Sequence, residues 1–182
     1  MSNIWFCADH HFGHRNVISF CNRPYSSTEE MDEDLISRHN SLVKKEDAVY
    51  FLGDFSWNQS YEKYKELFSK MNGRKFYVLG NHDNKQNLIR CQKDGLLLDV
   101  RESKILNIGS DTIHLTHYPL LEWYNFHKNG KHFHGHTHCT LDDYCQSVDV
   151  GIDAWEYGPV EFSELKKYLE ERCKPNIHPE EF

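Results

Sequence analysis

Apolar runs of five or six residues recur along this chain, and each stops abruptly on Asp, Asn or His. Residues 3–8 (NIWFCA), 48–52 (AVYFL) and 75–79 (KFYVL) are continuous rather than alternating, the pattern of strands buried on both faces. Between them apolar residues fall three and four apart, as on a helix. A short helix is predicted over 15–21, with Pro24 blocking its continuation. A longer one is predicted over 29–43, capped by Ser27 or Thr28, with Ser27 and Glu30 at capping-box spacing. Its apolar side carries Leu35, Ile36, His39, Leu42 and Val43. A helix over 60–71 presents Tyr61, Tyr64, Leu67, Phe68 and Met71 and stops at Asn72-Gly73. Another is predicted over 85–93.

The texture changes beyond Gly95. Short β-rich stretches follow at 96–100, 103–108 and 111–116, with a hairpin turn at 109–111, and again at 131–135 and 146–152. A last helix over 161–172 carries Phe162, Leu165, Tyr168 and Leu169 on one face, and residues 174–182 read as a loosely ordered tail. The order is βαβαβα, then a mostly antiparallel half. The expected fold is α/β: two packed mixed β-sheets flanked by helices, a four-layer α/β/β/α sandwich. With no linker or low-complexity segment, residues 1–182 are expected to form a single domain.

Composition narrows the partners. The chain is 38% hydrophobic and 27% charged, as globular proteins are, and its net charge of −7 with His neutral disfavours a long nucleic-acid track. A small phosphate substrate stays open, because bound cations would reverse the local charge. Six cysteines include no CxxC pair, and the first ten residues do not read as a signal peptide. No apolar run approaches the roughly 18 residues of a membrane span. A cytoplasmic protein with free thiols and no membrane partner is expected.

The strand ends carry the chemistry: Asp9-x-His11, Asp54 after Gly53, Asn81-His82, His117, and His136-x-His138. On an extended strand, residues i and i+2 point to one side, so Asp9 and His11 can reach one ion, and His136 and His138 repeat that spacing. Asn81 and His82 are adjacent and should do different jobs. A lone histidine of this kind is more often a satisfied core residue than a ligand, but an ordered set is not. Seven donors are too many for one tetrahedral ion and suit two ions about 3.5–4 Å apart, with the Asp54 carboxylate able to bridge. Imidazole with carboxylate and amide oxygen favours Mn, Fe, Zn or Co over Ca. Cys139, next to His138, is set aside as a ligand because it would point the other way.

Taken together, Asp9-x-His11-x-Gly13, Gly53-Asp54, Gly80-Asn81-His82-Asp83, His117 and Gly135-His136-x-His138 resemble the motif set of the calcineurin-like metallophosphoesterase superfamily. Residues 148–153, followed by Pro159-Val160, are similar to the closing strand of its small bacterial and phage-type members. The resemblance implies that Asp9, His11 and His138 hold one metal, that Asn81, His117 and His136 hold the other, and that Asp54 bridges. It further implies attack on phosphorus by a hydroxide bridging the metals, with His82 as the acid and transition-state stabiliser. The implied cofactors are two divalent transition-metal ions, manganese first, with Fe, Zn, Co or Ni as alternatives.

The expected substrate is a small phosphodiester or nucleotide, nucleic-acid ends included. The alternatives are a phosphomonoesterase and, from another class, a non-catalytic metal-binding scaffold, against which His82 speaks. Asp83 either orients His82 or stabilises the turn. His14 and Arg15 are candidates for substrate contact. His134 reads as a core residue or a support for the ligands, and His114 as a strand residue. Tyr118, Trp123, Tyr124 and Phe126 read as core or pocket wall rather than a base-stacking loop. His39, His127 and His178 read as surface residues.

Overall fold

A computed structural model describes residues 2–58, 60–142 and 144–172. The first three strands and the helices that follow them come in the expected order, and two further strands succeed them: β1 (Ile4–Cys7), α1 (Arg15–Phe20), α2 (Thr28–Leu42), β2 (Ala48–Phe51), α3 (Tyr61–Lys70), β3 (Arg74–Val78), α4 (Lys85–Lys93), β4 (Asp99–Arg101) and β5 (Lys104–Ile108). They are followed by β6 (Asp111–Leu115), β7 (Lys131–His134), β8 (Ser147–Asp149), β9 (Val160–Glu161) and α5 (Phe162–Arg172). Ser27 caps α2, its side chain accepting from the Glu30 amide, as the capping-box spacing predicts.

Two mixed sheets result, flanked by helices. One has the order β4-β3-β2-β1-β9 and the other β5-β6-β7-β8. Alternation along the strands sends successive side chains to opposite cores. Trp5, Cys7, Val49, Phe51 and Tyr77 face α2, α3 and α4, meeting Leu35, Tyr64, Phe68 and Leu88. Phe6, Ala8, Tyr50, Leu52 and Val78 face the second sheet, meeting Ile113, Leu115, Phe133, Val148 and Val150. Both faces of the first sheet are therefore dry, which is why its strands read as unbroken apolar runs. Leu165 and Leu169 of α5 join the inter-sheet core, and Lys166 reaches Asp111 at 3.0 Å.

Two expectations about the second half need correction. The stretch near 96–100 does not belong to it, since β4 pairs parallel with β3 in the first sheet. Nor is that half mostly antiparallel: β5 and β6 form the hairpin, but β6/β7 and β7/β8 pair parallel. Residues 116–130 and 135–146 are long enough for such crossovers, which need about a dozen residues. The short β9 (Val160–Glu161), antiparallel to β1, takes the first residue of the helix expected over 161–172, which begins at Phe162. The tail 174–182 and His178 lie outside the described residues.

His39 is a further correction. It is fully buried, Nε2 lies 3.0 Å from the Asn72 carbonyl, and the ring stacks on Phe51. The helical periodicity, which placed it with Leu35, overrides its polarity. Burial lowers its pKa from 6.5 to about 4. The unfolded chain thus binds a proton that the folded chain refuses between those values. Stability is full above about pH 6.5 and falls as the pH drops to 4, by about 3 kcal/mol from this group. Denaturant unfolding of metal-free protein across this window should show a shallower decline for His39→Gln; parallel curves would refute this.

Candidate metal centre and active-site cleft

The parallel strands β1, β2 and β3 end at one sheet edge, and Asp9, Asp54 and Asn81 follow their last residues. The parallel pair β6 and β7 delivers His117, His136 and His138 to the same place, as strand ends do in open α/β sheets. A hydrogen bond ties the two edges together, and others hold the loops within each edge. The amide of His136 donates to Asp9 Oδ2 at 2.8 Å, that of His11 to the Asp54 carbonyl at 3.0 Å, and that of Gly135 to the His117 carbonyl at 3.0 Å. Glycine is required where backbone and ligand touch. A Cβ on Gly53 would stand 2.6 Å from His117 Nδ1, and one on Gly135 2.5 Å from Asp9 Oδ2.

Two donor groups form here. Asp9, His11 and His138 bring ligand atoms within 4.8 Å of one another, and so do Asp54, His117 and His136. Asp54 lies between the groups, with Oδ2 3.8 Å from His11 Nε2 and 3.4 Å from His117 Nε2. Asn81 Oδ1 lies 2.9 Å from His117 Nε2. The reason given for the i, i+2 pairs does not hold, however. Asp9, His11, Asp54, His136 and His138 all have φ between 45° and 71°, the left-handed region, which costs a non-glycine residue about 1–2 kcal/mol. They turn rather than extend, so His136 and His138 diverge into different groups. Strain concentrated on donor residues is a mark of a functional site.

The electrostatics show what the donors lack. Asp9 Oδ1 is buried with no hydrogen-bond partner among the described residues. Burial pushes this carboxyl up to about 7, and Asp149 and Asp54 add to the rise against His117 and His138. Burial would raise Asp54 too, but its hydrogen bond and charge interaction with His117 bring it down to about 2. Burial opposes a proton on His117, yet Asp54 and Asp9 lift it to about 9. His11 is pushed down to about 3, chiefly by burial. A buried carboxylate oxygen without a donor, among imidazoles that converge on it, fits a cation.

Beside the donors opens a cleft of about 340 Å³, lined by His82, His14, Trp57, Phe20, Val17 and several of the donors. His82 belongs to neither donor group. Its amide donates to Asp54 Oδ1 at 2.9 Å, and its ring lies 5.7 Å from that of His11. A family model described as calcineurin-like phosphoesterase matches residues 2–140. The chain belongs to the calcineurin-like phosphoesterase family. An uncharacterized protein of Methanocaldococcus jannaschii is 33% identical over 179 residues, 93% of each chain. The gene 66 protein of Mycobacterium phage L5 is 29% identical over 185 residues, 85% of this chain and 88% of the phage protein. The crystal structure of a protein of unknown function from Aquifex aeolicus superposes with a TM-score of 0.73 at 25% identity, covering 92% of this chain and 100% of that one.

This calcineurin-like phosphoesterase holds its donors with residues that motif reading missed. The Leu52 carbonyl lies 2.7 Å from His117 Nδ1 and Asp153 Oδ2 2.7 Å from His138 Nδ1, leaving each Nε2 for the centre. Arg23 is buried, forks onto both Asp153 oxygens at 2.8 and 2.9 Å, and donates to the Asp9 and His10 carbonyls. Asp149 accepts from Thr137 Oγ1 and the Cys139 and Gly151 amides, fixing the loop with His136 and His138. Asp83 accepts from the Gly80, Asp54 and Phe55 amides and the Tyr77 hydroxyl, so it secures the turn, the second of the two roles considered for it. Asp149 and Asp153 lie in the closing-strand segment 148–153; Arg23 carries no local signal.

The remaining candidates divide. His14 lines the cleft, but its Nδ1 caps α1 by accepting from the Val17 amide. Arg15 is exposed, outside the cleft lining, with its charge acting on Glu29. Trp123 and Phe126 are buried against His132 and each other, whereas the half-exposed Tyr118 packs its ring on His136 at 4.6 Å. Cys139 joins neither donor group. No helix among the described residues is long and apolar enough to cross a membrane.

Proposed function

We propose that this chain is a metal-dependent phosphoester hydrolase with a binuclear centre, acting on small phosphodiesters or nucleotides in the cytoplasm. The observation that carries the reading is Asp54, whose one carboxylate faces both donor groups at once. Asp9, His11 and His138 would hold one divalent ion, and Asn81, His117 and His136 the other. Two such ions, manganese first, would supply Lewis acidity and a water acidified enough to attack phosphorus. The chain's own residues do the rest. Asp153 and the Leu52 carbonyl fix the ring orientations of His138 and His117. His82, outside the donor set and on the cleft wall, supports the charge developing on phosphorus and gives a proton to the leaving oxygen. Among the described residues no lysine or arginine lines the cleft, which favours a singly charged diester over a doubly charged monoester.

Elemental analysis of protein loaded with manganese should find close to two ions per chain; one or none would sink the binuclear reading. A hydrolysis screen with manganese should rank a phosphodiester chromogen above the matching monoester. The opposite ranking would make it a phosphomonoesterase. Bound metal without hydrolysis of either ester would make it a scaffold.

A further inference from the structure

The wall of the cleft next to His82 is aromatic and open. Trp57 is 49% exposed and Phe20 76% exposed, and both line the cleft. The Trp57 ring is buttressed rather than loose. Its centroid lies 3.9 Å from that of His14 and 5.4 Å from that of His82. Its amide donates to the Phe12 carbonyl at 3.0 Å, and the preceding Ser56 hydroxyl reaches the carbonyls of Phe12 and Asn58. A large apolar ring held still yet left half in water invites a flat ligand. Its place is specific: it stands next to His82, within reach of a group attached to a leaving oxygen there. Among the described residues the cleft has no lysine or arginine in its lining, the usual partners of a second phosphate. That combination fits one phosphoryl group carrying a planar ring.

We propose that Trp57, in the cleft that Phe20 also lines, is the stacking platform for the base of a nucleoside phosphoester, and so sets substrate choice. The inference rests on the phosphoesterase reading and deepens it. In the step concerned, water adds to phosphorus, the bond to the nucleoside 5′ oxygen breaks, and the proton goes to that oxygen.

The test compares two diesters that differ only in the base: the methyl ester of adenosine 5′-phosphate and that of ribose 5-phosphate. Methyl phosphate is the common product. Wild type should prefer the adenosine ester in kcat/KM. Trp57→Ala should cut that preference on the order of tenfold to a hundredfold, and Trp57→Phe should keep most of it. A merely structural role would slow both esters equally and leave the ratio unchanged. That result, or a wild type with no preference, would overturn the platform. Binding gives a second readout: adenosine 5′-phosphate should quench tryptophan emission in wild type but not in Trp57→Phe. If wild type hydrolysed no phosphoester yet showed this Trp57-dependent quenching, the phosphoesterase reading would fall and the platform would stand.

Discussion

His82→Ala should keep its full complement of manganese and lose turnover by a factor on the order of 10² to 10⁴. The expectation follows from position. His82 shares the Asn81–Asp83 turn with a proposed ligand, but its ring is in neither donor group and instead faces the cleft. Its amide donates to Asp54 Oδ1 at 2.9 Å, and alanine keeps that amide. The turn is held by Asp83, so it should survive the substitution. If His82 protonates the leaving oxygen, the defect depends on how badly that oxygen needs the proton. It should be smallest for a p-nitrophenyl ester, whose leaving group is stable as an anion, and largest for an alkyl ester. A uniform defect across leaving groups would leave His82 only the stabilisation of charge on phosphorus. Turnover unchanged, or loss of metal along with it, would remove it from the chemistry.

The donors themselves were legible because each apolar run ends where a parallel strand ends, and parallel strands end together. Asp54 after Gly53 is the clearest case, since the glycine is there for the close approach of His117. What the sequence hid is of two kinds. The first is backbone: nothing in Asp9-x-His11 or His136-x-His138 signals a left-handed turn, because that conformation is imposed by the surrounding hydrogen bonds and not by the residue types. The pairing of β7 with β6 and β8 was hidden similarly, since a short strand between polar turns reads the same in either direction. The second is distance along the chain. Asp153 meets Arg23 across 130 positions, and Trp57 shares a cleft with Phe20 only because the loop after β2 and the end of α1 line the same opening. Periodicity and local motifs carry no trace of such meetings.

Arg23→Met should be the most damaging change away from the donors themselves. The guanidinium is buried, and five contacts converge on it: the two Asp153 oxygens, the Asp9 and His10 carbonyls and the Met31 sulfur. Burial would raise the Asp153 carboxyl, but His138 and Arg23 hold it at about 2. Methionine fills the volume and leaves that carboxylate with one partner instead of two. Breaking a buried pair from one side costs about 3–5 kcal/mol, which denaturant unfolding of the metal-free protein would read. The same change frees Asp153 from its fork, and with it the orientation of His138. Loss of such outer support lowers metal affinity by roughly tenfold to a hundredfold, so manganese titration should show one weakened ion and one near its original strength. Arg23→Lys should fall between, because an ammonium keeps the charge without the planar fork. Adding Asp153→Asn to Arg23→Met should recover part of the stability, since the stranded charge is gone, but none of the metal affinity. Stability and metal affinity that fell and recovered together would contradict the separation of these two roles, and a fully stable Arg23→Met with both ions tight would dismiss the clamp altogether.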